Sequence, residues 1–127
     1  MRLLLDTNRY SDLARGEALA MQVAQAAAEI FIPFIVLGEL RGGFAAGARQ
    51  RENEARLSLL LQRPTVRSLF ADSDTTHHYA TLFNQLRRQG TPIPTNDIWI
   101  AALGVQHSLV LFSRDAHFRH IPQLARV

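Results

Sequence analysis

Short apolar runs set between helix-periodic segments constrain this chain more than any other feature. Residues 2–6 (RLLLD) form an apolar run closed by an acid, the pattern of a strand buried on both faces of a parallel sheet. A second run covers 28–33 and closes at Pro33, a weaker one covers 66–70, and 109–112 (LVLF) is a compact fourth. Residues 124–127 allow a short final strand. The intervening segments have helical spacing. Residues 11–28 are alanine-rich, with Ser11 or Asp12 as cap, and 34–46 places Ile35, Leu37, Leu40 and Phe44 at its apolar positions. Residues 50–62 carry Leu57, Leu60 and Leu61 on one face and stop before Pro64; 74–89 is capped at Ser73 or Asp74 and ended by Gly90; 97–106 follows Pro92 and Pro94. Strands alternating with helices predict an α/β fold with a central parallel sheet covered on both faces.

A chain of 127 residues has room for one domain with a real core, so 1–127 reads as one unit. No cysteine is present, which excludes disulfide frameworks, thiolate zinc sites and cysteine nucleophiles and suits a reducing cytoplasm. All fourteen basic residues are arginine. Without lysine, Walker-type ATPases and Schiff-base enzymes drop out. Arginine suits phosphate and bases, but base composition of a genome explains the bias equally well, so the net charge of +3 decides nothing. The three leucines after Arg2 are too few for a signal peptide, and the stretch around 30–37 is broken by Pro33 and short of a membrane span. A cytoplasmic protein with no membrane association is expected.

In a parallel sheet the reactive crevice lies beyond the carboxyl ends of the strands. Four acids from distant parts of the chain fall there: Asp6 ends the first strand, Glu39 lies in the helix after the second, Asp97 opens a helix, and Asp115 follows the 109–112 strand by three residues. Each sits among apolar neighbours (LLLDTN, FIVLGEL, NDIWIAA, LVLFSRD), where a merely solubilising acid is out of place. Two carboxylates about 5 Å apart repel by roughly 3 kcal/mol at an effective dielectric near 20, so a convergent quartet must take up protons or a cation. Oxygen donors, with no cysteine and no histidine at matching positions, favour Mg2+ or Mn2+ over zinc. Taken one at a time, the acids have plainer roles: Asp6 as a helix cap, Asp97 as a helix-dipole partner, Asp115 in a turn and Glu39 as a solvated helix position.

The strings LLDTN, GELRGG at 38–43, NDIWIAA at 96–102 and SRDAHF at 113–118, in this order and at this spacing, resemble the PIN-domain nucleases, specifically VapC-type toxins of toxin–antitoxin pairs. The resemblance spans nearly the whole chain. It implies a three-layer α/β/α domain with a central parallel sheet and Mg2+- or Mn2+-dependent endonucleolytic cleavage of RNA by a metal-activated water. It further implies a homodimer, a cognate VapB-type antitoxin, and an RNA substrate for which tRNA is the first expectation and ribosomal RNA the second. Carried over by position, Asp6, Glu39, Asp97 and Asp115 match the catalytic and metal-binding acids, Asp115 at the place that varies most in the family. Asn8 and Ser113 match residues that support the first and fourth acids. Gly42 and Gly43 match a small residue one turn after the glutamate, where glycine lets a helix end or a backbone approach closely. Tyr10 stands where the family often has a smaller aliphatic side chain, a departure that bears on local packing.

Arg41 and Arg114 lie near the expected site and are the foremost candidates for RNA contact, whereas Arg49, Arg56 and Arg63 recur as the solvated face of a helix. The five histidines read as surface or structural, with His117 alone close to the site through Asp115. Trp99, two residues after Asp97, points away from that acid and reads as a core or dimer contact. Two competing functions are weaker. An aspartyl-phosphate enzyme needs a second aspartate where Asn8 stands, or a lysine. A catalytically inactive PIN-like module that binds RNA or protein is hard to reconcile with four intact acids.

Overall fold

The computed structural model covers residues 1–127. Four parallel strands, β1 (Arg2–Leu5), β2 (Glu29–Pro33), β3 (Val66–Leu69) and β4 (Val110–Phe112), form one sheet in the order β3-β2-β1-β4. Six α-helices flank it: α1 (Thr7–Ala14), α2 (Ala18–Ala26), α3 (Phe34–Ala46), α4 (Gln50–Leu61), α5 (Ser73–Gln89) and α6 (Thr95–Gln106). Leu3, Leu4 and Leu5 are essentially without exposure, so β1 is covered on both faces, as its unbroken leucine run predicts. Ile30, Ile32, Leu111 and Phe112 extend that core through the neighbouring strands, and Ile98, Ile100 and Ala101 bring α6 onto it.

The strand order creates the site. β1 pairs with β2 on one side, Leu4 opposite Phe31, and with β4 on the other, Leu5 opposite Phe112. The chain adds β2 and β3 on one side of β1 and β4 on the other, so the carboxyl ends of β1 and β4 are a topological switch point, the place where open α/β sheets bind ligands. Asp6 and Ser113 are the first residues beyond β1 and β4.

The first helical segment differs from its expected extent of 11–28. Asp6, rather than Ser11 or Asp12, caps α1, and its side chain accepts a hydrogen bond from the Thr7 N–H. The helix then breaks at Arg15–Glu17, where Gly16 adopts φ +73°, a left-handed conformation that costs glycine little and other residues much. Glu17 restarts the chain as α2 by accepting from the N–H groups of Leu19 and Ala20. At α5 the cap is Asp72, one residue before the expected pair, in a reciprocal box with Thr75. The terminal segment 124–127 makes one bridge, Leu111 to Arg126, instead of a full strand. Gly42 and Gly43 do not end α3, which runs on to Ala46, and a Cβ at either would meet nothing within 4 Å, so close approach does not explain them. No helix is long and apolar enough to cross a membrane.

Candidate active site

Asp6 is the most enclosed of the four acids, with 5% of its surface exposed. Its N–H donates to the Phe112 carbonyl at 3.2 Å, so the β1–β4 ladder holds its backbone in place. Its Oδ2 accepts from the Ser113 hydroxyl at 2.6 Å, and its Oδ1 from the Thr7 N–H at 2.8 Å. Burial pushes its carboxyl above the ordinary value; the Ser113 and Thr7 hydrogen bonds oppose that, and the charge of Asp115 adds to it.

Ser113 is the hub of the β4 loop. Besides donating to Asp6, its oxygen accepts from Asn8 Nδ2 at 3.3 Å and from the Asp115 N–H at 3.0 Å. Asn8 completes the clasp, its Oδ1 accepting from the Arg114 N–H at 3.1 Å. Asn8 and Ser113 thus fix how the loop after β4 meets the start of α1, and with it the relative placement of Asp6 and Asp115.

Asp97 lies in the first turn of α6 and is partly buried. Burial raises its carboxyl above the ordinary range, a His117 hydrogen bond opposes this, and the charges of Asp115 and Asp6 raise it further. Asp6, Asp97 and Asp115 are therefore close enough to sense one another's charge. Asp115 opens a 3₁₀ turn (Ala116–His120) by accepting from the His117 N–H at 2.9 Å, so it is a turn residue and a member of the cluster together. Glu39, on α3, is exposed and joins through Thr7, whose hydroxyl donates to Glu39 Oε1 at 2.9 Å. One threonine links Asp6 and Glu39, a role that the LLDTN string does not reveal.

His117 is the other residue that sequence reasoning underweighted. Its Nδ1 lies 2.9 Å from Asp97 Oδ2 and 2.9 Å from Asp115 Oδ1. These three side chains offer ligand atoms that all fall within 4.8 Å of one another. The expectation that no histidine stands at a matching position is thereby corrected: the 3₁₀ turn folds His117 back over Asp97, twenty residues earlier in the chain, a proximity that no local spacing displays. The Asp97 hydrogen bond, with support from the Asp115 charge, holds the imidazole above its usual value.

The two arginines singled out for RNA contact both have acidic partners. Arg41 Nε meets Glu54 Oε1 at 3.2 Å. Arg114 spans both oxygens of the buried Asp12, Nε donating to Oδ2 at 2.8 Å and Nη2 to Oδ1 at 3.1 Å. Trp99 stacks on Tyr79 of α5 with ring centroids 4.1 Å apart, in keeping with its expected packing role. Away from the acids, a cavity of about 390 Å³ opens between α1, α2 and α4, with Tyr10, Leu13, Met21 and Leu60 among its lining and Arg56 and Arg63 at its margin. The Tyr10 hydroxyl is buried there without a hydrogen-bond partner.

The four acids come from four separate stretches of one α/β chain, and sequence comparison supplies the family in which that arrangement belongs. The profile of the PIN domain matches residues 3–124, and the chain belongs to the PIN-domain family. Among its relatives, ribonuclease VapC1 of Haemophilus influenzae (strain R2866) is 32% identical over 130 residues, covering 98% of this chain and 95% of that protein. The VapC ribonuclease Y4jK of Sinorhizobium fredii is 34% identical over 121 residues, covering 89% and 86%. Among solved structures, VapBC-1 from nontypeable Haemophilus influenzae superposes with a TM-score of 0.85 at 27% identity, covering 100% of this chain and 97% of the other. VapBC2 from Rickettsia felis, bound to a DNA fragment from its promoter, shares the fold with a TM-score of 0.89 at 24% identity, covering 100% and 98%.

Proposed function

We propose that this protein is a divalent-metal-dependent endoribonuclease, the toxin of a VapBC-type toxin–antitoxin pair. The observation that carries the reading is the meeting of Asp6, Asp97 and Asp115 at the β1–β4 switch point, with Glu39 tied to Asp6 through Thr7. Carboxylates that raise one another's proton affinity favour a shared cation, which offsets their mutual repulsion as hydrogen bonds alone do only in part. The donor set fits one: carboxylate oxygens at the mouth of a crevice that is open to solvent at Glu39.

Asp6, Glu39, Asp97 and Asp115 would hold Mg2+ or Mn2+. When bound, such an ion supplies Lewis acidity toward a phosphodiester and lowers the pKa of water. The remaining work belongs to the chain. Ser113 and Asn8 orient Asp6 and the Asp115 loop, Thr7 orients Glu39, and the apolar floor of Leu5, Phe112 and Ile98 strengthens electrostatics by excluding water. Arg41, beside the site and half exposed, is placed to meet an RNA phosphate; Arg114 could share that task only at the expense of its hold on Asp12.

The partner in this reading is a VapB-type antitoxin, and the active form is a homodimer in the cytoplasm. The apolar cavity beside Tyr10, with its unpartnered hydroxyl and marginal arginines, suits an amphipathic segment of such a partner. Transfer RNA is the substrate class to test first.

Asp6→Asn and Asp97→Asn should each abolish metal-dependent RNA cleavage while circular dichroism reports an intact fold. Unchanged cleavage in both variants would sink the assignment. RNA binding without cleavage in the unmodified protein would favour an inactive binding module. Mapping cut sites on total RNA, with and without metal, identifies the target.

A further inference from the structure

We infer that His117 supplies a nitrogen ligand to the bound ion, so that the centre is a mixed nitrogen–oxygen site that prefers Mn2+ to Mg2+. The inference rests on the metal-dependent reading above and specifies its metal.

The spacing of the donor atoms is the first reason. His117 Nδ1 stands 2.9 Å from an oxygen of Asp97 and 2.9 Å from an oxygen of Asp115, and the three atoms lie within 4.8 Å of one another. Neighbouring donors around an octahedral ion with bonds of about 2.1 Å are about 3 Å apart, and opposite donors about 4.2 Å. The ring nitrogen thus already stands at the spacing of an adjacent position from each of the two carboxylate oxygens, which themselves lie within 4.8 Å of one another.

Hydrogen-bond valence is the second. A ring nitrogen carries one hydrogen or one lone pair and can serve one carboxylate at a time. The aligned hydrogen bond runs to Asp97 Oδ2, while Asp115 Oδ1, equally near, takes its hydrogen bond from the His117 main-chain N–H. The ring nitrogen can bond only one of the two carboxylate oxygens that stand equally near it, whereas one divalent ion accepts a lone pair from all three atoms. With its hydrogen on Nε2, the neutral ring turns the Nδ1 lone pair toward both acids.

The third is placement. The 3₁₀ turn is pinned by Phe118, which is fully buried, and by the Asp115 cap, so the main chain rather than a flexible stem aims the ring. The side chain keeps 46% of its surface exposed, leaving an approach for an ion from solvent. Imidazole raises affinity for first-row transition ions, while Mg2+ holds to oxygen donors and its own water.

Electron spin-echo envelope modulation of the Mn2+-loaded full chain should show nitrogen coupling from a directly bound imidazole, and His117→Ala should abolish it. Calorimetric titrations with Mn2+ and with Mg2+ should give a preference for Mn2+ that falls on the order of tenfold in His117→Ala, while His117→Asp restores an all-oxygen shell and shifts the preference toward Mg2+. Bound Mn2+ without nitrogen modulation in the unmodified protein, or an unchanged preference in His117→Ala, overturns the assignment and leaves the nuclease reading standing. Failure of the unmodified protein to bind either ion at millimolar concentration overturns both.

Discussion

The Arg114 guanidinium grips Asp12 with two hydrogen bonds, of 2.8 and 3.1 Å, across 102 residues of sequence, and so straps the loop after β4 onto α1. Asp12 is only 4% exposed and also receives Arg9 and Arg15, which makes it the anionic centre of a three-arginine cluster.

That cluster sets an acid limit on stability. The Arg114 hydrogen bond first, and then that of Arg9, hold the Asp12 carboxyl below its ordinary value of 3.8, against the opposing effect of burial. A group whose value is depressed on folding contributes stability that is present above the unfolded value and is lost as the pH falls through the folded one. Asp12→Asn should therefore be less stable than the unmodified protein near neutral pH. The gap should narrow as the pH falls below 3.8. Urea unfolding at about pH 7 and about pH 3.5 checks this; a gap that stays constant would refute it.

Ser113→Ala removes the hydroxyl that donates to Asp6 at 2.6 Å and accepts from Asn8 and from the Asp115 N–H. The fold should lose on the order of 1 kcal/mol, the scale of a typical internal hydrogen bond. Metal affinity or activity should fall by roughly 10- to 100-fold, because residues behind ligands control their orientation. Ser113→Thr, which keeps the hydroxyl, should recover most of it. Single-turnover cleavage of a labelled RNA alongside urea melts separates the two effects.

Under the proposed function, Asp6 sets metal binding against stability. Burial raises its carboxyl and Asp115 raises it further, so its charge at neutral pH is costly without a cation. Asp6→Asn should leave the metal-free Tm equal to or above that of the unmodified protein. Adding Mn2+ at about a hundred times its Kd should stabilise the unmodified protein by about 2.7 kcal/mol, and the variant by much less. A differential scanning series with and without chelator reads both outcomes, and an equal Mn2+ response in the two proteins would remove Asp6 from the ligand set.

Gly104 tests how tightly α6 is packed. A Cβ there would come within 2.7 Å of Leu124 Cδ1 and 3.4 Å of Leu4 Cδ2. The Leu124 contact is the far end of a flexible side chain and can yield, and alanine improves helix propensity by about 1 kcal/mol, so Gly104→Ala should be close to neutral. Gly104→Phe has no such release against Leu4 in β1 and should cost about 1–3 kcal/mol or more. Chemical denaturation of the two variants decides.

The parts of the fold that could be read from sequence are those whose cause is local. Three leucines before Asp6 cannot be solvated, and Leu109–Phe112 cannot either, so both had to be strands inside a covered sheet. The rule that sites gather at carboxyl ends then located Asp6, Asp97 and Asp115. The start of α1 was misread for an equally physical reason: Ser11 and Asp12 look like caps, but Asp12 is drawn inward by an arginine that arrives from the far end of the chain. Thr7 was passed over because its partner Glu39 lies two elements away.

Sequence alone thus determined the class of fold and the family and singled out the candidate acids, because apolar runs, turn residues and acid positions act over a few neighbours. Only the tertiary structure decided how those acids are held and what stands among them. The β1–β4 pairing brings Ser113 onto Asp6, and the 3₁₀ turn carries His117 to Asp97. Such contacts need groups far apart in the chain to be placed to within a few tenths of an ångström, and only packing of the completed sheet against α1, α6 and the final turn does that.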